Sequence, residues 1–139
     1  MNENIAEILG LLCSEGYYRD YRVDCTTYDK RRKKHYLRKN KRQRVLEFSN
    51  KNIPLVYHFQ KLLKKEFDYS TKISMTHIDL CRIFITRWDI IDRLISYSDF
   101  GCSRWKVPRE IIHGNIKVKR SFIRGFFYGD GCLDKTKSN

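Results

Sequence analysis

Two nonapeptides near opposite ends of the chain, ILGLLCSEG at 8–16 and IRGFFYGDG at 123–131, share one spacing: glycine, two apolar residues, two others, an acid, then glycine. A glycine inside a helix costs about 1 kcal/mol against alanine. Gly10 and Gly125 therefore predict a place where a second helix approaches the backbone closely. The acids, Glu15 and Asp130, fall at the C-terminal ends of their helices, where the macrodipole already puts negative partial charge. A carboxylate there is disfavoured unless a cation sits nearby.

Two such helices packed in parallel through their glycines would bring both acids to the same end. Adjacent carboxylates repel one another, and oxygen ligands of this kind suit Mg²⁺ or another divalent cation. Metal ions so held can activate water and stabilise both oxygens around a scissile phosphate. The plainer reading is an amphipathic helix with a glycine cap and an incidental acid. It accounts for either segment alone and poorly for the same spacing twice.

Between the motifs, periodicity alternates between helical and extended. Residues 4–15 read as a helix capped by Asn4, with Glu7 in capping-box position and Gly16 ending it. Tyr17, Tyr21, Val23 and Cys25 share one face of a strand over 17–28, and Val45 to Ser49 reads as its partner. Asn52 and Pro54 start a helix whose stripe is Ile53, Val56, Phe59, Leu62, Leu63 and Phe67. Strands are expected at 71–78 and 81–86, then a helix opening at Asp89 with Ile90, Ile91, Leu94 and Ile95 turned inward. A short segment around Ile111 and Ile112 precedes a final helix from Ser121 to about Gly129. This order is α+β with an antiparallel sheet.

Charge narrows the partner. The chain has 29 Lys and Arg against 16 Asp and Glu, a net of +13. Ten of the cations (Lys30, Arg31, Arg32, Lys33, Lys34, Arg38, Lys39, Lys41, Arg42 and Arg44) lie in one window that holds no acid. Outside it the chain is nearly balanced at +3. The window falls on the ends and tip of the predicted hairpin. It is expected to contact duplex DNA, its side chains divided between phosphates and guanine edges. Tyr28 and Tyr36 flank it.

No apolar run approaches the roughly 20 residues of a membrane span, and the N-terminus lacks the cationic start of a signal peptide. Five scattered cysteines with no CxxC are expected to be reduced thiols. His77 and Cys81 make only a weak zinc pair. These features point to an intracellular protein of the cytoplasm, nucleoid or an organelle matrix, with no membrane partner.

The paired nonapeptides resemble the double signature of LAGLIDADG homing endonucleases, with Gly10 and Gly125 at its third position and Glu15 and Asp130 at its eighth. The element order over 4–120 resembles that family's α-β-β-α-β-β-α domain, whose antiparallel sheet forms a saddle. The approach to the second motif, VPREIIHG followed by SFIRGFFYGDG, resembles the stretch joining the halves of single-chain members. The resemblance implies divalent-metal-dependent cleavage of both strands of a long DNA site, with Glu15 and Asp130 as catalytic metal ligands. It also implies catalytic roles near the metals for Asn50 and Lys51, at the end of the second strand, and more weakly for Lys135.

By the same resemblance, residues 1–120 form one endonuclease domain and 121–139 the opening helix of a second whose sheet is absent. Phe122, Ile123, Phe126 and Phe127 are then an apolar surface, part of it facing the first motif helix and part the missing domain. It is expected either to drive self-association or to fold the last helix back onto the helix at 4–15. The alternative is a non-catalytic nucleic-acid binder, such as an intron RNA maturase or a decayed endonuclease fragment. A basic structural protein explains the charge but not the repeated motif.

Overall fold

The first helix, α1 (Glu3–Glu15), is apolar on almost every side: Ile5 to Cys13 are all buried. Such a helix must be enclosed rather than laid on a surface. In the computed structural model, which describes residues 1–130 and only the backbone at Asp130, it runs through the core. Its cap is Asn2, whose side chain accepts from the Ile5 amide at 2.8 Å. Glu7, expected in a capping box with Asn4, is instead buried and paired with other helices. Gly16 leaves the helix in extended conformation and opens β1 (Gly16–Asp29).

The remaining order is β2 (Lys34–Asn50), α2 (Ile53–Phe67), β3 (Ile73–Met75), β4 (Cys81–Ile85), α3 (Trp88–Ile95), α4 (Arg109–Ile112) and α5 (Ile116–Asp130). The strands form one antiparallel sheet in the order β1-β2-β4-β3. This is the expected α+β class. One sheet face, carrying Tyr18, Leu46, Phe48, Cys81, Ile83 and Ile85, packs with α1 and α2 around Phe59, Leu63, Ile91 and Leu94.

Several boundaries differ from expectation. β2 is far longer than 45–49, because the outer hairpin is held by its backbone ladder and has no buried face to give a period-two signal. β3 is shorter than 71–78; a turn through Thr76 and Asp79 takes the rest, with Asp79 at positive φ. Ile53 is exposed rather than on the buried stripe of α2. α5 starts at Ile116, with Asn115 Oδ1 accepting from the Val118 amide at 3.0 Å. The boundary expected at 120/121 therefore falls inside a continuous helix.

The hairpin has one irregularity, which decides which side chains share a face. Val23 pairs with Lys41 but Cys25 with Arg38, so Lys39 and Asn40 together face Asp24. Asn40 takes positive φ, its amide donating to Asp24 Oδ1 at 2.8 Å while Arg22 Nη1 donates to its carbonyl at 3.1 Å. This is a β-bulge with asparagine in the left-handed position.

Candidate metal and nucleic-acid site

Helices α1 and α5 cross through their glycines. A Cβ at Gly10 would fall inside contact distance of the Phe122 carbonyl and 2.8 Å from the Phe126 amide nitrogen; one at Gly125 would strike the Glu7 carbonyl and sit 3.1 Å from the Leu11 amide nitrogen. Each glycine thus rests on the residues three before and one after its counterpart, a near-twofold relation. Farther along, Gly129 lies against Ser14 and Glu15 with no room for a side chain. The helices therefore run parallel, and their C-terminal ends converge.

Glu15 is half-buried at that end, beside an open depression lined by Ser14, Gly16, Gly101, Ser103 and Trp105. The carboxyl group of Asp130 and the whole of Lys135 lie outside the described residues; the backbone of Asp130 reaches the same end through Gly129. Asn50 arrives from the sheet, since Gly16 pairs with Phe48 two residues before it. Its Nδ2 donates to the Gly129 carbonyl at 3.4 Å and its Oδ1 accepts from the Asn52 amide at 2.8 Å. Lys51 follows, exposed. The donor set at this end is made of hard oxygens, a carboxylate and helix-terminal carbonyls. That fits Mg²⁺, which binds through one or two carboxylates and keeps several waters. Cys13 adds no nucleophile, because burial pushes its thiol up to about 12.

Glu7 sits on the glycine crossing. It accepts from His58 Nε2 on α2 at 2.7 Å and from Arg124 Nη2 on α5 at 3.1 Å, and so ties three helices together. Its counterpart position on α5 is Phe122, which is buried. Along α5, Ile123 and Phe127 are 51% and 61% exposed, whereas the matching Ile8 and Leu12 of α1 are fully buried. The apolar surface expected on this helix is divided: Phe122 and Phe126 turn inward and Ile123 and Phe127 outward.

The sheet face away from the helices carries Tyr17, Arg19, Tyr21 and Val23 on β1, and Lys41, Gln43, Val45, Glu47 and Ser49 on β2. Across the bulge it continues through Lys34, Tyr36 and Arg38. At the hairpin tip, Asp29 Oδ1 accepts from the amides of Arg31 and Arg32, and Lys33 takes positive φ. The side chains of Lys30, Arg31, Arg32 and Lys33 are thereby fanned into solvent. Tyr36 supports Arg38, whose guanidinium lies 5.5 Å from its ring centre.

Three of the ten window cations stand elsewhere, the first being Lys39, which sits in the bulge opposite Asp24 rather than on the open face. Arg42 and Arg44 lie on the helix-covered face rather than with the expected DNA contacts. Arg44 is 7% exposed; it donates to Asp92 at 2.6 Å and to the Tyr18 hydroxyl at 2.9 Å, and its guanidinium lies 5.1 Å from the Trp88 ring centre. Arg42 pairs with Asp20 at 2.6 Å, and its hydrogen bond holds the Asp20 carboxyl below the usual carboxylate range. Conversely, the open face includes Arg19 and Arg82, which lie outside the window. Nothing in their local sequence separates them from ordinary surface arginines; only the strand register does. Among the described residues no helix is long and apolar enough to cross a membrane.

No protein-family model matches the chain, and no curated protein matches it. Solved structures do. Mesophilic variants of the homing endonuclease I-DmoI share the fold at a TM-score of 0.64 and 14% identity, over 91% of this chain and 57% of theirs. I-DmoI in complex with DNA and Mn matches at 0.55 and 14%, over 91% and 61%. The LAGLIDADG homing endonuclease I-LtrWI bound to target DNA matches at 0.50 and 14%, over 91% and 57%. The fold is that of LAGLIDADG homing endonucleases, and the chain spans about three fifths of the length of these proteins.

Proposed function

We propose, starting from a fold shared with LAGLIDADG homing endonucleases, that the chain is the DNA-binding, acid-bearing part of a site-specific endonuclease that uses Mg²⁺ or another divalent cation. The observation that carries this reading is the parallel glycine seam, which brings Glu15 and the backbone of Asp130 to one end of the sheet. The open sheet face and the cationic hairpin extend from that end. I-DmoI has been solved with DNA and Mn, and I-LtrWI with its target DNA, which supports both partners.

A bound divalent ion would supply an activated water and stabilise the oxygens about the scissile phosphate. Glu15 would hold it, with the Asp130 carboxylate from the partner helix. The Asn50 amide braces the terminus of α5, which keeps the two acidic positions in register. Lys51, one residue beyond, would stabilise developing negative charge. The hairpin cations would hold the duplex by its phosphates, a sequence-independent and salt-sensitive attraction.

The test is to make Glu15→Gln and Asp130→Asn in the longest form of the protein that cuts DNA. Mg²⁺-dependent nicking of a plasmid bearing the site should be lost, while duplex binding by gel shift stays within about twofold. A double variant that still cuts at the parent rate would sink the metal-site assignment.

A further inference from the structure

We infer that Arg19 and Arg82, oriented by Glu47, read guanine bases in the bound duplex; the inference rests on the DNA-binding reading above. On the open face, among the described strand residues, Glu47 is the one carboxylate away from the hairpin tip, where Asp29 serves the turn. A carboxylate on a surface that receives phosphates opposes them, so its place there needs a local reason. It lies three residues from the C-terminal end of β2, paired across to Tyr17 on one side and Phe84 on the other.

Arg19 Nη2 approaches Glu47 Oε2 at 3.6 Å from β1, and Arg82 Nε approaches Oε1 at 3.5 Å from β4. The Glu47 side chain is 16% exposed, against 43% and 37% for the arginines, so the carboxylate lies beneath and the guanidinium groups face out. Arg82 Nε is buried with no hydrogen-bond partner among the described residues and is turned towards Glu47. The outward donors of Arg82 are then its two Nη groups. Arg19 is further restrained by Tyr21, whose ring centre lies 6.0 Å from its guanidinium carbon.

A free surface arginine adapts to whichever phosphate comes near. One tied to a carboxylate below has given up its rotamer freedom before binding, and presents a planar fork in a set direction. That fork matches O6 and N7 of guanine in the major groove. Because both guanidinium groups flank one carboxylate, the guanines they read are neighbours or are separated by one base pair.

The experiment selects duplexes randomised over the bound half-site, using the 139-residue chain and its R19A, R82A, R82K and E47Q variants. The parent should enrich guanine at two positions no more than one base pair apart. R19A should lose one preference and R82A the other, each by about tenfold or more. R82K keeps the charge without the fork and should lose the same position as R82A, which covers a failure of R82A to fold. E47Q should relax both positions together, yet bind mixed-sequence duplex at least as tightly as the parent, since a negative charge has gone. Variants that weaken every duplex equally, with only a shallower salt dependence, would overturn the guanine assignment and leave DNA binding standing. A parent chain that selects no duplex at all would overturn the DNA reading itself.

Discussion

Replacing Gly10 with alanine adds one methyl group where two helices leave no room for it. The new Cβ would meet the Phe122 carbonyl and the Phe126 amide nitrogen, the latter at 2.8 Å. Both are backbone atoms, which cannot swing aside, so α5 must retreat by something on the order of 0.5 to 1 Å. A gap of that size forfeits roughly a quarter to a half of the dispersion energy across it. The buried apolar side chains of α5, Val118 and Phe122, contribute about 2 kcal/mol each, so about 1–2 kcal/mol is lost there. Overpacking strain adds about 1–3 kcal/mol, and the better helix propensity of alanine returns about 1 kcal/mol. The net expectation is a destabilisation of about 2 kcal/mol by urea unfolding followed by circular dichroism. Gly125→Ala should cost a similar amount, because its Cβ meets the Glu7 carbonyl in the mirrored contact. The double variant should cost less than the two together, since helices already parted for one methyl group accept the second more easily. A Gly10→Ala chain more stable than the parent by about 1 kcal/mol, as at an exposed helical glycine, would refute the close crossing.

The hairpin cations divide into two groups with opposite expected readouts. Alanine at Arg31, Arg32, Lys33 and Lys34 should flatten the salt dependence of duplex affinity by a few units of slope and shift stability by no more than about 0.5 kcal/mol. Arg44→Ala should leave the slope alone and destabilise the fold by about 1–3 kcal/mol, because it strands the Tyr18 hydroxyl and empties a buried site; a changed slope with unchanged stability would reverse its placement. Glu7→Gln should cost about 1–2 kcal/mol in the same unfolding assay through its weakened bonds to His58 and Arg124, and a neutral result would mean the three-helix tie is incidental.

The parts of the fold that were legible in the sequence are those where packing leaves a mark on residue type. A glycine inside an apolar helix has few explanations, and Gly10 and Gly125 do meet another backbone. Leu46, Phe48, Ile83 and Ile85 announce their strands because one face is buried. The outer hairpin carries no such mark, so the eleven residues of β2 from Lys34 to Arg44 were hidden, although the backbone ladder there is interrupted only by the bulge. Which cations face the open side depends on strand parity and on the bulge at Asn40, which adds a residue to β2 and reverses every position beyond it. That is why Arg42 and Arg44 read as equals of Lys41 in sequence yet stand on the other face. Glu7 and Glu47 were indistinguishable from surface acids, since their partners, Arg124 and Arg82, come from distant elements.

The α1–α5 contact also sets an order of events during synthesis. Glu7 and Arg124 are 117 residues apart in the chain, and a ribosome adding about 5–20 residues per second needs roughly ten seconds to span that distance. Through that interval α1 can settle against its own sheet, but its glycine side has nothing to rest on. Closing so long a loop is entropically costly and is recovered only when the whole seam forms at once. The two acidic positions are thus expected to come together late and cooperatively, after the sheet and the helices laid on it have formed.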